Sequence, residues 1–167
     1  FSVGRSPDEF DLDRAAREAV DRATRLLGAT QPPSRRLTVV LDPFVTAQFI
    51  GVISSTLNGE AVVKGRSLFR DRIGETVAAP FVTLVDDPTL AESFGAASHD
   101  AEGVPTRRLP LIAGGRLEGF LHNVYTARRG GVATTASAVR GGFKSPPGVG
   151  ARSLHLVPGT LSPEEIL

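Results

Sequence analysis

Leu109-Pro110-Leu111-Ile112-Ala113-Gly114-Gly115-Arg116-Leu117-Glu118-Gly119-Phe120-Leu121 sets two apolar runs on either side of a Gly-Gly pair. Glycine adopts the positive φ that a tight hairpin turn demands, so this stretch predicts an antiparallel β-hairpin. Upstream, Phe81-Val82-Thr83-Leu84-Val85 reads as a further strand that runs into Asp86-Asp87-Pro88. Leu37-Thr38-Val39-Val40-Leu41 reads as a short β-branched strand, after which Asp42-Pro43 caps a helix to about residue 57, ended by Asn58-Gly59. Phe44, Val45, Phe49, Ile50, Val52, Ile53 and Leu57 cover so much of that helix that burial on more than one side is expected. A first helix is predicted over about 7–27, opened by the capping box Ser6-Pro7-Asp8-Glu9 and closed by Gly28. Residues 130–150 are rich in Gly, Ala, Ser, Thr and Pro without alternation, which predicts a long surface loop. Helices and strands in mixed order around a hairpin place the chain in the α+β class, with a largely antiparallel sheet.

The chain has 167 residues, 41% hydrophobic and 22% charged, a composition that builds a core and argues against disorder. No apolar run approaches the ~20 residues of a membrane-spanning helix. The absence of Cys excludes disulfides, thiolate zinc sites and Cys nucleophiles in this stretch. The net charge of +1 hides an asymmetry: residues 1–100 carry 11 basic and 14 acidic side chains, residues 101–167 carry 8 and 4. The pairs Arg35-Arg36, Arg107-Arg108 and Arg128-Arg129 are dispersed, with one Tyr and no Trp between them, so no direct nucleic-acid interface is expected. Phe1 is not an initiator Met, and Ser162-Pro163-Glu164-Glu165 is a helix-start signal followed by two residues alone. Both ends fit an internal segment of a longer protein. The Pro32-Pro33 linker suggests a boundary there, with 1–33 the terminal helix and linker of a preceding domain and 34–167 the first part of a following one.

His99, His122 and His155 are too widely spaced to share one helix face, as a zinc helix requires. Neither a nucleophile elbow, a P-loop nor a dinucleotide fingerprint occurs. The densest polar constellation is Asp86, Asp87, His99, Asp100 and Glu102. Closely spaced carboxylates suit a hard cation, general acid–base chemistry or the ordering of turns, and the spacing selects none of the three.

Several motifs acquire meaning together: Lys64-Gly65-Arg66-Ser67-Leu68-Phe69, Asp86-Asp87-Pro88-Thr89-Leu90, Asp100-Ala101-Glu102-Gly103-Val104-Pro105-Thr106, Leu111-Ile112 with Gly115-x-Leu117-x-Gly119, and Tyr125-Thr126-Ala127-Arg128. In this order and spacing the sequence resembles the TldD/PmbA family over about 37–140, with weaker similarity in the first helix. The resemblance implies the front part of a TldD/PmbA C-terminal domain, a cytoplasmic location, and a metallopeptidase system acting on peptides or partly unfolded chains, including peptide maturation. The family's older label, modulator of DNA gyrase, does not require DNA contact. Its TldD-like branch carries a His-Glu-x-x-x-His helix, the PmbA-like (TldE) branch typically lacks it, and the two are understood to pair.

Counted back from Lys64-Gly65-x-Ser67, that window falls on Ile50-Gly51-Val52-Ile53-Ser54-Ser55. Ile50 stands at the first His position, Gly51 at the Glu position and Ser55 at the second His position. Zinc catalysis needs ligand atoms and a carboxylate to take the proton of the bound water, and Ile and Gly supply neither. The resemblance therefore implies a metal-free, non-catalytic PmbA-like subunit, dimeric with a TldD-like subunit that holds the zinc. The family's Ser-Thr-Gly-Asn-Ala-x-Arg loop is replaced by Thr134-Thr135-Ala136-Ser137-Ala138-Val139-Arg140. Asp100, Glu102 and Arg140 are the candidates for binding substrate or ordering the loop. Two other readings stay open: a carboxylate-based hydrolase using Asp86, Asp100 and Glu102, and a peptide-binding scaffold without a peptidase partner.

Overall fold

The structure is a computed structural model and describes residues 4–166. The chain divides into two compact units, Phe1–Val39 and Val40–Leu167. In the first, the Ser6 capping box does not open a long helix. Pro7–Glu9 form one 3-10 turn without a side-chain cap from Ser6, Phe10 is extended, and Asp11 caps α1 (Leu12–Thr24) by accepting from Arg14 N–H at 2.8 Å. Two start signals compete within a few residues, and the one directly before the periodic stretch wins. The helix stops at Thr24 rather than Leu27, turns lead on to Gly28 at φ +73°, and no residue of α1 is buried.

Residues 37–41 pair with no other segment and are exposed, so the expected strand is absent among the described residues. A β-branched run becomes a strand where an edge accepts it; propensity alone does not supply one. The Asp42-Pro43 signal holds: Asp42 accepts from Phe44 N–H at 2.8 Å and starts α2 (Pro43–Thr56), a regular helix ending at Leu57. Its expected burial does not hold. No residue of α2 is buried, and Phe49 is 56% exposed. Asn58 then caps the short α3 (Gly59–Val63).

The second unit is built on the hairpin. β1 (Leu84–Asp86) pairs antiparallel with β2 (Leu109–Ala113), which turns through Gly114 and Gly115 into β3 (Arg116–Leu117). The predicted strand at 81–85 thus begins later, at Leu84, and includes Asp86. α4 (Val124–Gly130) follows, then β4 (Ala138–Val139) and β5 (Gly148–Val149) pair as a separate ribbon. β6 (Leu154–Leu156) returns to β1, giving the order β3-β2-β1-β6, all antiparallel. The expected surface loop at 130–150 therefore contains a ribbon, and Ala136, Ser137 and Ala138 are buried. The last capping box forms as read: Ser162 and Glu165 exchange side-chain and backbone bonds at the start of α5 (Pro163–Ile166). Among the described residues no helix is long and apolar enough to cross a membrane.

Leu57, Leu84, Leu111, Ile112, Leu117, Phe120 and Leu121 form one apolar cluster between the sheet and the end of α2. The segment before β1 straps the hairpin: Val77 and Ala78 N–H donate to Gly115 O, and Gly115 N–H donates to Val82 O. Gly115 has φ +79°, and a Cβ there would lie 2.5 Å from Ala78 O. Gly115→Ala should therefore cost about 3 kcal/mol or prevent folding, against about 1 kcal/mol for Gly114→Ala, where no atom approaches closer than 3.5 Å. Urea unfolding midpoints of the two variants check this ranking.

Candidate functional site

The carboxylates of the sequence constellation lie in one unit but do not converge. Asp86 is buried in β1, and its Oδ1 accepts from Arg152 N–H at 3.0 Å and Ser153 N–H at 2.7 Å, fastening the approach to β6. Burial pushes its carboxyl above the usual range, against the pull of those two backbone bonds. Asp87 Oδ1 accepts from Thr89 N–H and its hydroxyl and so shapes the Pro88 turn, while Arg108 lies 3.7 Å from Oδ2. Asp100 is buried and accepts three backbone N–H bonds: Glu102 at 2.9 Å and Val104 at 3.0 Å on Oδ1, Ala138 at 3.1 Å on Oδ2. Glu102 Oε2 accepts from Val124 N–H at 2.8 Å at the start of α4. His99 is exposed beside Ser98, and Nδ1 of His155 lies 3.0 Å from Ser153 O. Among the described residues no three His, Cys, Asp or Glu side chains could hold a metal ion.

Sequence reasoning gave His122 no special place, yet the Thr-rich loop closes on it. Its carbonyl accepts from Thr135 N–H at 3.1 Å, Ser137 N–H at 3.3 Å and the Thr134 hydroxyl at 3.1 Å, and its own N–H donates to Thr135 Oγ1 at 2.6 Å. The loop makes this closure with Ala136 at φ +59°, the position where the family pattern has Gly. Arg140 lies beyond this loop, exposed, its side chain without an ion pair or hydrogen bond among the described residues. A hint was present in the sequence: a Gly-to-Ala exchange in a motif marks a place where backbone conformation is under tension.

The window singled out on α2 is open. Gly51 has space where a Cβ would stand, and the Ser55 hydroxyl donates back to Val52 O at 2.7 Å. Ile50 is half-buried against the apolar cluster.

With this geometry in hand, residues 34–167 match the PmbA/TldA metallopeptidase C-terminal domain. The fold and its sequence thus define a metallopeptidase-type C-terminal domain. The chain belongs to the TldD/PmbA family. It is 34% identical over 158 residues to a metalloprotease of Methanothermobacter thermautotrophicus, covering 94% of this chain and 34% of that protein. It is 36% identical to the metalloprotease TldD homolog of Haemophilus influenzae, covering 79% of this chain and 28% of that protein. The crystal structure of TldE from Thermococcus kodakarensis superimposes with a TM-score of 0.65 at 32% identity, covering 70% of this chain and 27% of that one. The chain spans about a third of the length of the curated relatives it matches.

A metallopeptidase family implies a metal, and the α2 window does not fit one. Ile50 and Gly51 carry no donor atom, and the Ser55 hydroxyl is spent on its own helix. Zinc takes three or four protein ligands, so no step is routed through a metal in this window.

Ala136→Gly relieves left-handed strain at the cost of chain entropy and a buried methyl, so it should leave stability unchanged to within about 1 kcal/mol, whereas Ala136→Val should lose about 2 kcal/mol or more; thermal denaturation measures both. Asp86→Ala strands two backbone donors and should cost about 3 kcal/mol, while Asp86→Asn keeps the accepting oxygen and should cost less than about 1 kcal/mol. Because the folded carboxyl holds its proton above the ordinary 3.8, Asp86 adds stability as pH falls through its raised value toward 3.8. Burial acts oppositely on His122: it lowers the pKa, so the His122 contribution is complete above the ordinary 6.5 and is lost as pH falls from there toward the lowered value. Urea titrations at stepped pH, in the wild-type chain and in Asp86→Asn, separate the two.

Proposed function

We propose that this chain acts as the metal-free partner of a TldD-like metallopeptidase subunit, in a cytoplasmic dimer that processes extended peptides or unfolded chains. The observation that carries this reading is the α2 window: in a chain of a metallopeptidase family, the positions that would hold and use zinc present Ile50, Gly51 and Ser55. Similarity to a protein named TldE agrees with it. On this reading the zinc belongs to the TldD-like partner, and residues 1–33 belong to a preceding domain.

This subunit's part is to present the peptide. Asp87 N–H donates to Ser153 O and Val157 N–H to Thr83 O, so 153 and 157 turn their backbone toward β1. By alternation Leu154 and Leu156 turn theirs to the outer edge of β6, where an extended chain gains main-chain hydrogen bonds irrespective of its sequence. Arg140, free of ion pairs, suits a peptide carboxylate, whereas Asp100 and Glu102 serve by holding the loops in place. A hydrolase built on Asp86, Asp100 and Glu102 finds less support, because these carboxylates already accept backbone N–H groups.

Co-expression of the complete protein with its TldD-like neighbour, followed by metal analysis and peptide cleavage, tests the proposal. The expected result is cleavage by the pair, no cleavage by this protein alone, and zinc in the TldD-like subunit. Stoichiometric tightly bound zinc in this protein, or cleavage by it alone, overturns the reading.

A further inference from the structure

The Val40–Leu167 unit contains a cavity of about 270 Å³ lined by Val62, Ile73, Phe120, Val132 and His122 among others. Whole-ligand pockets usually start near 300 Å³, so this volume suits a single ring. Its walls are mainly apolar, with Asp71 and the His122 imidazole as the polar residues, and the imidazole stands edge-on to Phe120 at 6.4 Å between centroids. His122 as a residue is 6% exposed.

The polarity of the imidazole follows from its neighbours. Nδ1 lies 3.2 Å from Thr126 Oγ1, and Thr126 Oγ1 lies 3.0 Å from Asn123 Oδ1, an atom able to accept and not to donate. With the Thr126 proton assigned to Asn123, the hydroxyl accepts from Nδ1–H, and Nε2 is left as a bare acceptor. Among the described residues Nε2 has no hydrogen-bond partner. Arg152 Nε is the sealed side-chain polar atom without a partner among the described residues, so Nε2 is not sealed from solvent, and its residue lines the cavity. Burial holds the imidazole pKa down and keeps the ring neutral, which preserves the lone pair. Asp71, also at the cavity, has its carboxylate 3.4 Å from Arg70 Nε, so the mouth does not demand a charged ligand.

We propose that this cavity is a binding site for one aromatic ring that carries its own N–H or O–H donor, of the indole or phenol kind. An aliphatic group would fill the space and leave Nε2 dry and unpaired, whereas a donor-bearing ring satisfies both the walls and the nitrogen. The site is independent of the metal-free partner role, since neither the α2 window nor a second subunit enters it. The ring's source is either a Trp or Tyr side chain of a bound peptide or a free small aromatic.

Titration calorimetry of this chain with indole, 1-methylindole and the capped pentapeptide Ala-Ala-Trp-Ala-Ala tests the proposal. Indole should bind about tenfold more tightly than 1-methylindole, which has the same ring without the donor. Val132→Trp fills the cavity from a residue that is 51% exposed, and should weaken indole binding by about tenfold or more with the melting temperature unchanged. Should that variant fold poorly, the pair of indoles still decides. Competition between the pentapeptide and indole supports the site with a peptide side chain as its occupant; indole binding that the peptide leaves untouched supports it with a free aromatic. Equal affinity for the two indoles, no binding of indole, or indole binding that persists in well-folded Val132→Trp overturns it.

Discussion

Asp100 accepts backbone N–H groups from Glu102, Val104 and Ala138, and the arrangement of the site depends on that capture. A carboxylate taken out of water is costly unless several donors replace the lost hydration, and three main-chain donors do so here. The captured turn carries Glu102, whose other end meets the start of α4. One residue before the Asn123 cap of α4 lies His122, and its carbonyl gathers the Thr134–Ser137 loop. Asp86 repeats the device by fastening Arg152 and Ser153 ahead of β6. The short strands are thus joined by carboxylate-to-backbone contacts as much as by their own ladders.

Bonds of this kind hold the loops of the domain in place. The acidic residues that look like a reactive cluster in sequence are engaged in holding loops, and the helix that would carry metal ligands is tied to the core at Leu57 and by the half-buried Ile50. The fold matches that of its solved relatives, with a TM-score of 0.76 over 98% of this chain to one of them.

The hairpin was legible because its signals are local: two apolar runs, and two glycines whose φ of +55° and +79° make the turn. Asp42 and Pro43 were legible for the same reason, since a cap acts on neighbours two or three residues away, whereas Asn58, read as the end of α2, also starts α3 by accepting from Glu60 N–H. What failed required knowledge of distant partners. Residues 37–41 have the composition of a strand but no edge to join, and α2 has the composition of a buried helix but nothing over it. The site divided similarly: Asp100 and Glu102 stood out in sequence, with their donors up to 38 residues away invisible there. His122 was hidden because its importance lies in its main-chain carbonyl and in the orientation of a ring, which residue type does not announce.

α2 has one further consequence. Apolar residues surround its axis, so it has no polar side to turn toward water and no single apolar side to turn inward. Left uncovered, such a surface favours association with other apolar surfaces. The exposed Phe44, Phe49 and Val52 therefore place a hydrophobic load on the chain that covering the helix would lift.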